Sequence, residues 1–231
     1  DASGGYIVDS VRGNNAALQT TNNNAEGTFA SMTFESNGIT VSGNENLNNE
    51  NAHDYVVWNW LAGTSFSNDA SATSIGSIDS SGSVNETAGF SICSFTGTGS
   101  TATIKHGLST APSMLIFKNR ETTDSWNIQH DGLTSYDYYV RLNSTGAQNN
   151  DIDVGPTTPT SSVIEVGSHD QQNGSGDDMI AYCFAEKQGY SKFGSYTGNG
   201  NADGAFVYTG FKPAWLLIKK SSASGNGWFL M

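Results

Sequence analysis

The strongest constraint on what this chain can fold into is an internal duplication. The stretch FSICSFTGTGSTATIKHGLSTAPSMLIFKN (90–119) is echoed by YSKFGSYTGNGNADGAFVYTGFKPAWLLIKK (190–220). Phe95 falls on Tyr196, Thr96 on Thr197, Gly97 on Gly198 and Gly99 on Gly200, each 101 residues apart. Pro112 on Pro213, Leu115 on Leu216 and Lys118 on Lys219 hold the same offset, and Trp126 meets Trp228 after one inserted residue. Aromatic, Gly, Pro and Lys positions kept in order over such a length mark a repeat, and a repeat governs the whole fold assignment.

A second pairing joins SNGITVSGNENLNNENAHDYVVWNW (36–60) to SSVIEVGSHDQQNGSGDDMIAYCF (161–184), with Ile39 on Ile164, Val41 on Val166, Asp54 on Asp178 and Trp60 on Phe184. The offset here is 125 or 124 residues, not 101. One unit is therefore whole, at 89–186, while its copy is divided into a back half at 1–62 and a front half at 187–231. The two halves fit end to end. Trp126 to Arg141 is fifteen steps; Trp228 to Met231 is three, and with Asp1 set after Met231, Arg12 is twelve more. Three arrangements satisfy this: one period of a longer tandem array, a circular permutation whose termini meet inside one domain, or a half-domain completed by a neighbour's half.

Strand signals are short and frequent, among them YVVWNW (55–60), FSICSF (90–95), SMLIFKN (113–119), SVIEVG (162–167), SKFGSY (191–196), AFVYTG (205–210) and AWLLIKK (214–220), each bounded by Gly, Asn, Asp or Ser. These boundary residues supply turns, and alternation such as that of YVVWNW writes one buried and one wetter face. The more continuous SMLIFK and AWLLIK read as central strands. No segment keeps a helical period for three turns; NNAALQTT (14–21) is the best candidate for a single turn. The fold expected is all-β, two tandem antiparallel β-sandwich, jelly-roll-like units, one of them split between the two termini. The segment 63–88, Ser-rich and poor in bulky apolar residues, reads as a linker or surface loop between them.

The chain of 231 residues carries 22 acidic and 10 basic residues, a net charge of −12. That balance repels phosphate backbones and anionic bilayers, so nucleic acid is not an expected partner. No apolar run approaches a membrane-spanning length, and DASGGYIVDS (1–10) lacks the basic start and apolar core of a signal peptide, so no membrane insertion is expected.

Residues able to do chemistry are few. His106, in KHGLSTAP, reads as a turn residue, because the second copy carries Thr209 in its place; His53, His130 and His169 sit in polar loops without a spaced partner. No nucleophile elbow, zinc-protease, P-loop or dinucleotide pattern occurs, so the chain is not expected to be an enzyme. Asp151 with Asp153, and Asp177 with Asp178, are candidate Ca²⁺ ligands, the one cofactor the sequence raises; as turn-forming residues they have a simpler role. Cys93 and Cys183, in the first and last strands of the whole unit, are candidates for a disulfide or for two core thiols. Tyr136 and Tyr138 offer phenols to a glycan, whereas the five Trp, two of them at equivalent repeat positions, read as core.

As a set, YVVWNW, GFSICSFTGTG, IKHGLSTAPSMLIFKN, DDMIAYCFAEKQGYSKFGSYTGNG and YTGFKPAWLLIKK resemble a β-rich repeat family of structural and tail-fibre-like proteins of marine bacteriophages. The resemblance covers nearly the whole chain outside 63–88 and transfers no functional residue. It implies a virion or extracellular fibre component. The expected function is a non-enzymatic structural and adhesive module that associates with copies of itself, with carbohydrate-binding recognition of a host-surface glycan as the alternative.

Overall fold

In the computed structural model, residues 4–28, 32–43 and 48–231 are described. In chain order the first strands are β1 (Tyr6–Ile7), β2 (Ala16–Gln19), β3 (Gly27–Thr28), β4 (Met32–Glu35) and β5 (Gly38–Val41). They are followed by β6 (Thr64–Asn68), the single helical turn α1 (Ala70–Thr73), β7 (Ser80–Asn85), β8 (Phe90–Thr96), β9 (Ala102–Lys105), β10 (Met114–Asn119), β11 (Asn127–His130) and β12 (Val140–Arg141). The remainder is β13 (Val163–Val166), the turn α2 (Asp170–Asn173), β14 (Asp178–Phe184), β15 (Leu217–Lys219) and β16 (Trp228–Leu230). The protein is almost all β, and every ladder between these strands is antiparallel.

Seven strands form the main sheet in the order β12-β11-β10-β14-β8-β7-β6. Its middle is β14, paired through Met114↔Phe184 to Asn119↔Met179 with β10, and through Asp178↔Thr96 to Phe184↔Phe90 with β8. These three strands are apolar at consecutive positions because both of their faces are covered. On one face Cys93, Phe95, Leu115, Phe117, Met179, Ala181 and Cys183 pack with Ile104 of β9 and Ile164 and Val166 of β13. On the other, Phe90, Ile92, Met114, Ile116, Ile180 and Tyr182 pack with Trp126, Ile128, Val140 and Leu18 of β2. The β9–β13 ribbon and the β1–β2–β3 sheet thus lie over opposite faces of the main sheet, a sandwich-like arrangement. Each large apolar side chain so buried contributes about 1.5–3 kcal/mol relative to exposure.

Three expectations are corrected. The stretch 14–21 is not a helical turn: β2 lies there, with Leu18 fully buried in the second cluster and the Gln19 carbonyl accepting from the Trp126 indole at 2.8 Å. The stretch 63–88 is not a linker, for β6 and β7 are the last two strands of the main sheet. Small residues make this docking feasible. A Cβ on Gly82 would run into the Ile92 carbonyl oxygen, and Phe66 of β6 lies against Gly82 and Gly107, the latter at φ +83. Asp69 caps α1 by accepting from Ala72 N, and the Asp79 carboxylate accepts from Ala70 N, closing the excursion between the strands. Finally, the expected strands at 55–60, 191–196 and 205–210 are absent from the described structure, and most of their large apolar residues are exposed.

The second copy nevertheless repeats one substructure. In β10–β11 the pairs are Ile116↔Ile128 and Phe117↔Asn127; in β15–β16 they are Leu217↔Leu230 and Ile218↔Phe229, the residues that the duplication places in correspondence. Leu216 and Met231 extend the second ladder by exchanging backbone hydrogen bonds, as Leu115 and Gln129 extend the first. Lys118 Nζ donates to the Asn119 and Thr122 carbonyls, and Lys219 Nζ to those of Lys220 and Asn226, so an equivalent lysine ties down the loop of each hairpin. The seam between Met231 and Asp1 lies outside the described residues at 1–3.

Gly82→Ala is expected to lower stability by about 1–3 kcal/mol, read from the urea midpoint, because no neighbour can yield to the new methyl. Ser81→Ala, an exposed neighbour on the same strand, is expected to stay within about 0.5 kcal/mol; equal effects at the two sites would mean that β7 is not docked.

Candidate functional site

The carboxylates singled out for calcium are engaged by protein donors. Asp151 accepts from the Tyr139 phenol. Asp153 accepts from Ser168 N and, at 2.5 Å, from Ser168 Oγ. Asp177 accepts from Asn119 Nδ2 at 2.7 Å, while Asp178 faces Arg120 at 3.5 Å. Among the described residues no three His, Cys, Asp or Glu side chains converge to hold a metal ion.

Cys93 and Cys183 are unbonded and buried. The register explains it: Cys93 faces Ala181 and Cys183 faces Ser91, so the two are diagonal neighbours. Such neighbours lie ~7–8 Å apart, beyond the usual ~4.4–6.8 Å Cα separation of a disulfide. The hydrogen bond with Cys93, together with burial, pushes the Cys183 thiol well above the ordinary value. It is a core thiol, not a nucleophile.

Tyr136 and Tyr138, the candidates for glycan contact, lie in the segment between β11 and β12. Both are half-buried, and the Tyr136 phenol donates to the Pro112 carbonyl. Burial pushes that phenol up to about 12. His106 is fully buried, with Nε2 3.1 Å from the Thr160 carbonyl and Nδ1 accepting from Leu108 N. Burial pulls its pKa down to about 4 against the pull of Thr160 and Glu86. His169 accepts from Gln171 N as the cap of α2. These are structural uses.

Two polar clusters carry more information, and sequence reasoning missed both. Arg12 lies with its side chain fully buried between Asp9 (2.6 Å) and Glu26 (2.9 Å), donating also to the Ile7 carbonyl and the Tyr182 phenol. Glu26 is held in turn by Nε and Nη2 of Arg120 at 2.9 and 2.8 Å. Burial pushes the Glu26 carboxyl up, but hydrogen bonds from Arg120 and Arg12 outweigh it and hold the group below its ordinary value. The cluster fastens the N-terminal sheet to the main one, and a shallow polar cleft of about 390 Å³ opens beside it, lined by Arg12, Asn14, Asn15, Glu26 and Thr28. Residues so far apart in sequence give no local signal. The second cluster lies under β11, where Gln129 and Gln172 bond to each other and to the carbonyl and N–H of Gly155. Beside it, Asn127 is fully buried, and among the described residues neither of its amide atoms has a hydrogen-bond partner.

The most unusual surface belongs to the second copy. Val56, Val57, Trp58, Trp60 and Leu61 are exposed, as are Tyr190, Tyr196, Phe206, Tyr208, Trp215, Phe229 and Leu230. Trp60 meets Trp215 edge to face at 6.0 Å, at the positions that β10 and β14 fill with the Met114↔Phe184 pair. Exposed apolar residues that are contiguous on a soluble protein mark an interaction site.

Two expectations follow. The folded His106 value lies below 6.5, so between about pH 6.5 and pH 4 the unfolded chain binds more protons. His106 therefore favours folding fully above pH 6.5, and about 3 kcal/mol of that is lost as pH falls toward 4. His106→Gln should flatten this part of a urea-stability profile. Asn127→Leu should raise stability by about 1–2 kcal/mol by removing two unsatisfied atoms; the second copy carries Phe229 at the corresponding place. A loss of that size in the same assay would mean that the amide serves a bound group.

No curated protein and no solved structure matches the chain. A family model described as a domain of unknown function, DUF7483, matches residues 2–231. The match takes in both copies of the repeat and the strands at 63–88, and the chain belongs to that family.

Proposed function

We propose that this protein is a non-enzymatic structural and adhesive module, one unit of an extended virion or extracellular fibre assembled from copies of itself. The observation that carries this reading is the duplicated hairpin: β15–β16 repeats the register and the lysine loop anchor of β10–β11. A chain that repeats its strands extends an object without new fold information. The Arg12 cluster favours the same reading, because it joins sheet to sheet: Arg12 and Glu26 are engaged with Asp9, Arg120 and Tyr182.

Carbohydrate binding is the second reading, favoured by one observation: Trp58, Trp60 and Trp215 are exposed, where indole faces stack on sugar rings.

Sedimentation velocity of the full chain over a range of concentrations distinguishes the two. Fibre-forming units are expected to give a mass that grows with concentration, together with elongated particles in negative stain. A chain that stays monomeric throughout and shows saturable, Trp58-dependent binding on a glycan array would replace the first reading with the second.

A further inference from the structure

The two copies differ most in what they bury. Ile180 and Tyr182 of β14 are 0% and 4% exposed, whereas Val56 and Trp58, which the duplication places in correspondence, are 76% and 52% exposed. Phe95 of β8 is 4% exposed and its counterpart Tyr196 is 55%. At these positions the sequence that makes a core in one unit makes a surface in the other.

Charge is divided along the same line. Residues 187–231 hold five of the ten basic residues, Lys187, Lys192, Lys212, Lys219 and Lys220, and one acidic residue, Asp203. Lys212 and Lys220 are exposed, and among the described residues neither pairs with a carboxylate. Conversely, residues 13–104 contain no Lys or Arg. Within that stretch β6 is the last strand of the main sheet, exposed at Thr64, Ser65 and Ser67, with one edge unpaired among the described residues. Asp69, Asp79 and Glu86 stand exposed around it, accepting from the backbone N–H groups of Ala72, Ala70 and Ser109, and among the described residues none of them is in an ion pair. An open edge offers a row of backbone donors and acceptors to another chain.

We propose that the aromatic, basic face formed by residues 55–61 and 206–220 docks a second copy of this chain, head to tail, on the acidic flank of that copy's edge strand β6. The occupant is another copy because one molecule carries both complementary faces, and their different composition makes the contact heterologous, so it propagates instead of closing as a pair. The aromatic side chains leave water against the open edge of β6, and the opposed charges orient the encounter. This inference rests on the self-assembly reading and adds the two faces and their polarity.

The test uses the full chain with two double variants, Phe206→Asp/Lys212→Glu on the aromatic face and Asp79→Lys/Glu86→Lys beside β6, in sedimentation velocity at about 50 and about 500 mM NaCl, which shortens the screening length severalfold. Circular dichroism of each variant monitors the fold. Wild type is expected to associate, about tenfold more weakly at high salt. Each variant alone is expected to stay monomeric, while the two mixed form a dimer and nothing larger, since one intact face of each kind remains. Polymers that persist in both variants would overturn the assigned faces and leave self-assembly standing. A wild-type chain that is monomeric under every condition would overturn both.

Discussion

The structure depends on the position of β14 between β8 and β10. Its backbone is paired on both edges, and its side chains alternate into two separate apolar clusters. A strand in this position has no face left for water, and its neighbours must then be covered as well. That requirement accounts for the β9–β13 ribbon on one side, with Ile104, Ile164 and Val166, and for the N-terminal sheet on the other, with Leu18. It also accounts for the buried polar groups. Once the N-terminal sheet is laid over Tyr182, the phenol is inside the protein, and its bonds to Asp9 and Arg12 satisfy it there.

Those bonds bring charge into the interior, and the arrangement shows how the cost is met. A buried guanidinium is tolerable only when carboxylates and acceptors surround it. Arg12 has Asp9, Glu26, the Ile7 carbonyl and the Tyr182 phenol, and Glu26 is shared with Arg120. Removing one member would leave its partners buried and uncompensated, so the cluster specifies where the N-terminal sheet sits more than it adds to net stability.

Strand β10 was legible because its run MLIF is continuously apolar, as a strand covered on both faces requires; the similar run AWLLIK misled, for β15 belongs to a separate two-stranded hairpin and Trp215 and Leu216 are exposed. The correspondence of the two hairpins was legible from the 101-residue offset, and the register agrees with it residue by residue. β6 and β7 were not legible, because their signal is smallness, not apolarity. Gly82 and the serines beside it are there to let Ile92 and Phe66 come close, and a Ser-rich stretch looks the same whether it is a linker or a tightly fitted edge. YVVWNW misled in the opposite sense. Alternation records a strand's two faces but says nothing about which partner supplies its hydrogen bonds, and at 55–61 the chain supplies none of the ladder that its counterpart β14 receives. The Arg12 cluster reaches across 170 positions to Tyr182 and across 94 from Glu26 to Arg120, and its one local pair, Asp9 with Arg12, looks like an ordinary turn.

The inequality between the copies is itself informative. If the second copy were simply decaying, its aromatic positions would be expected to drift toward polar residues once exposed, because surface Trp and Phe favour aggregation. Instead Tyr196, Trp215 and Leu216 stand where Phe95, Met114 and Leu115 stand in the buried copy, and Trp58 replaces Tyr182. The exposed copy is as rich in bulky apolar groups as the covered one, and it has gained lysines at 212 and 220 where the first has Ala111 and Asn119. The second copy is thus divided: its β1–β3 sheet covers one face of the main sheet through Leu18, whereas Val56, Trp58, Tyr196 and Trp215 are exposed.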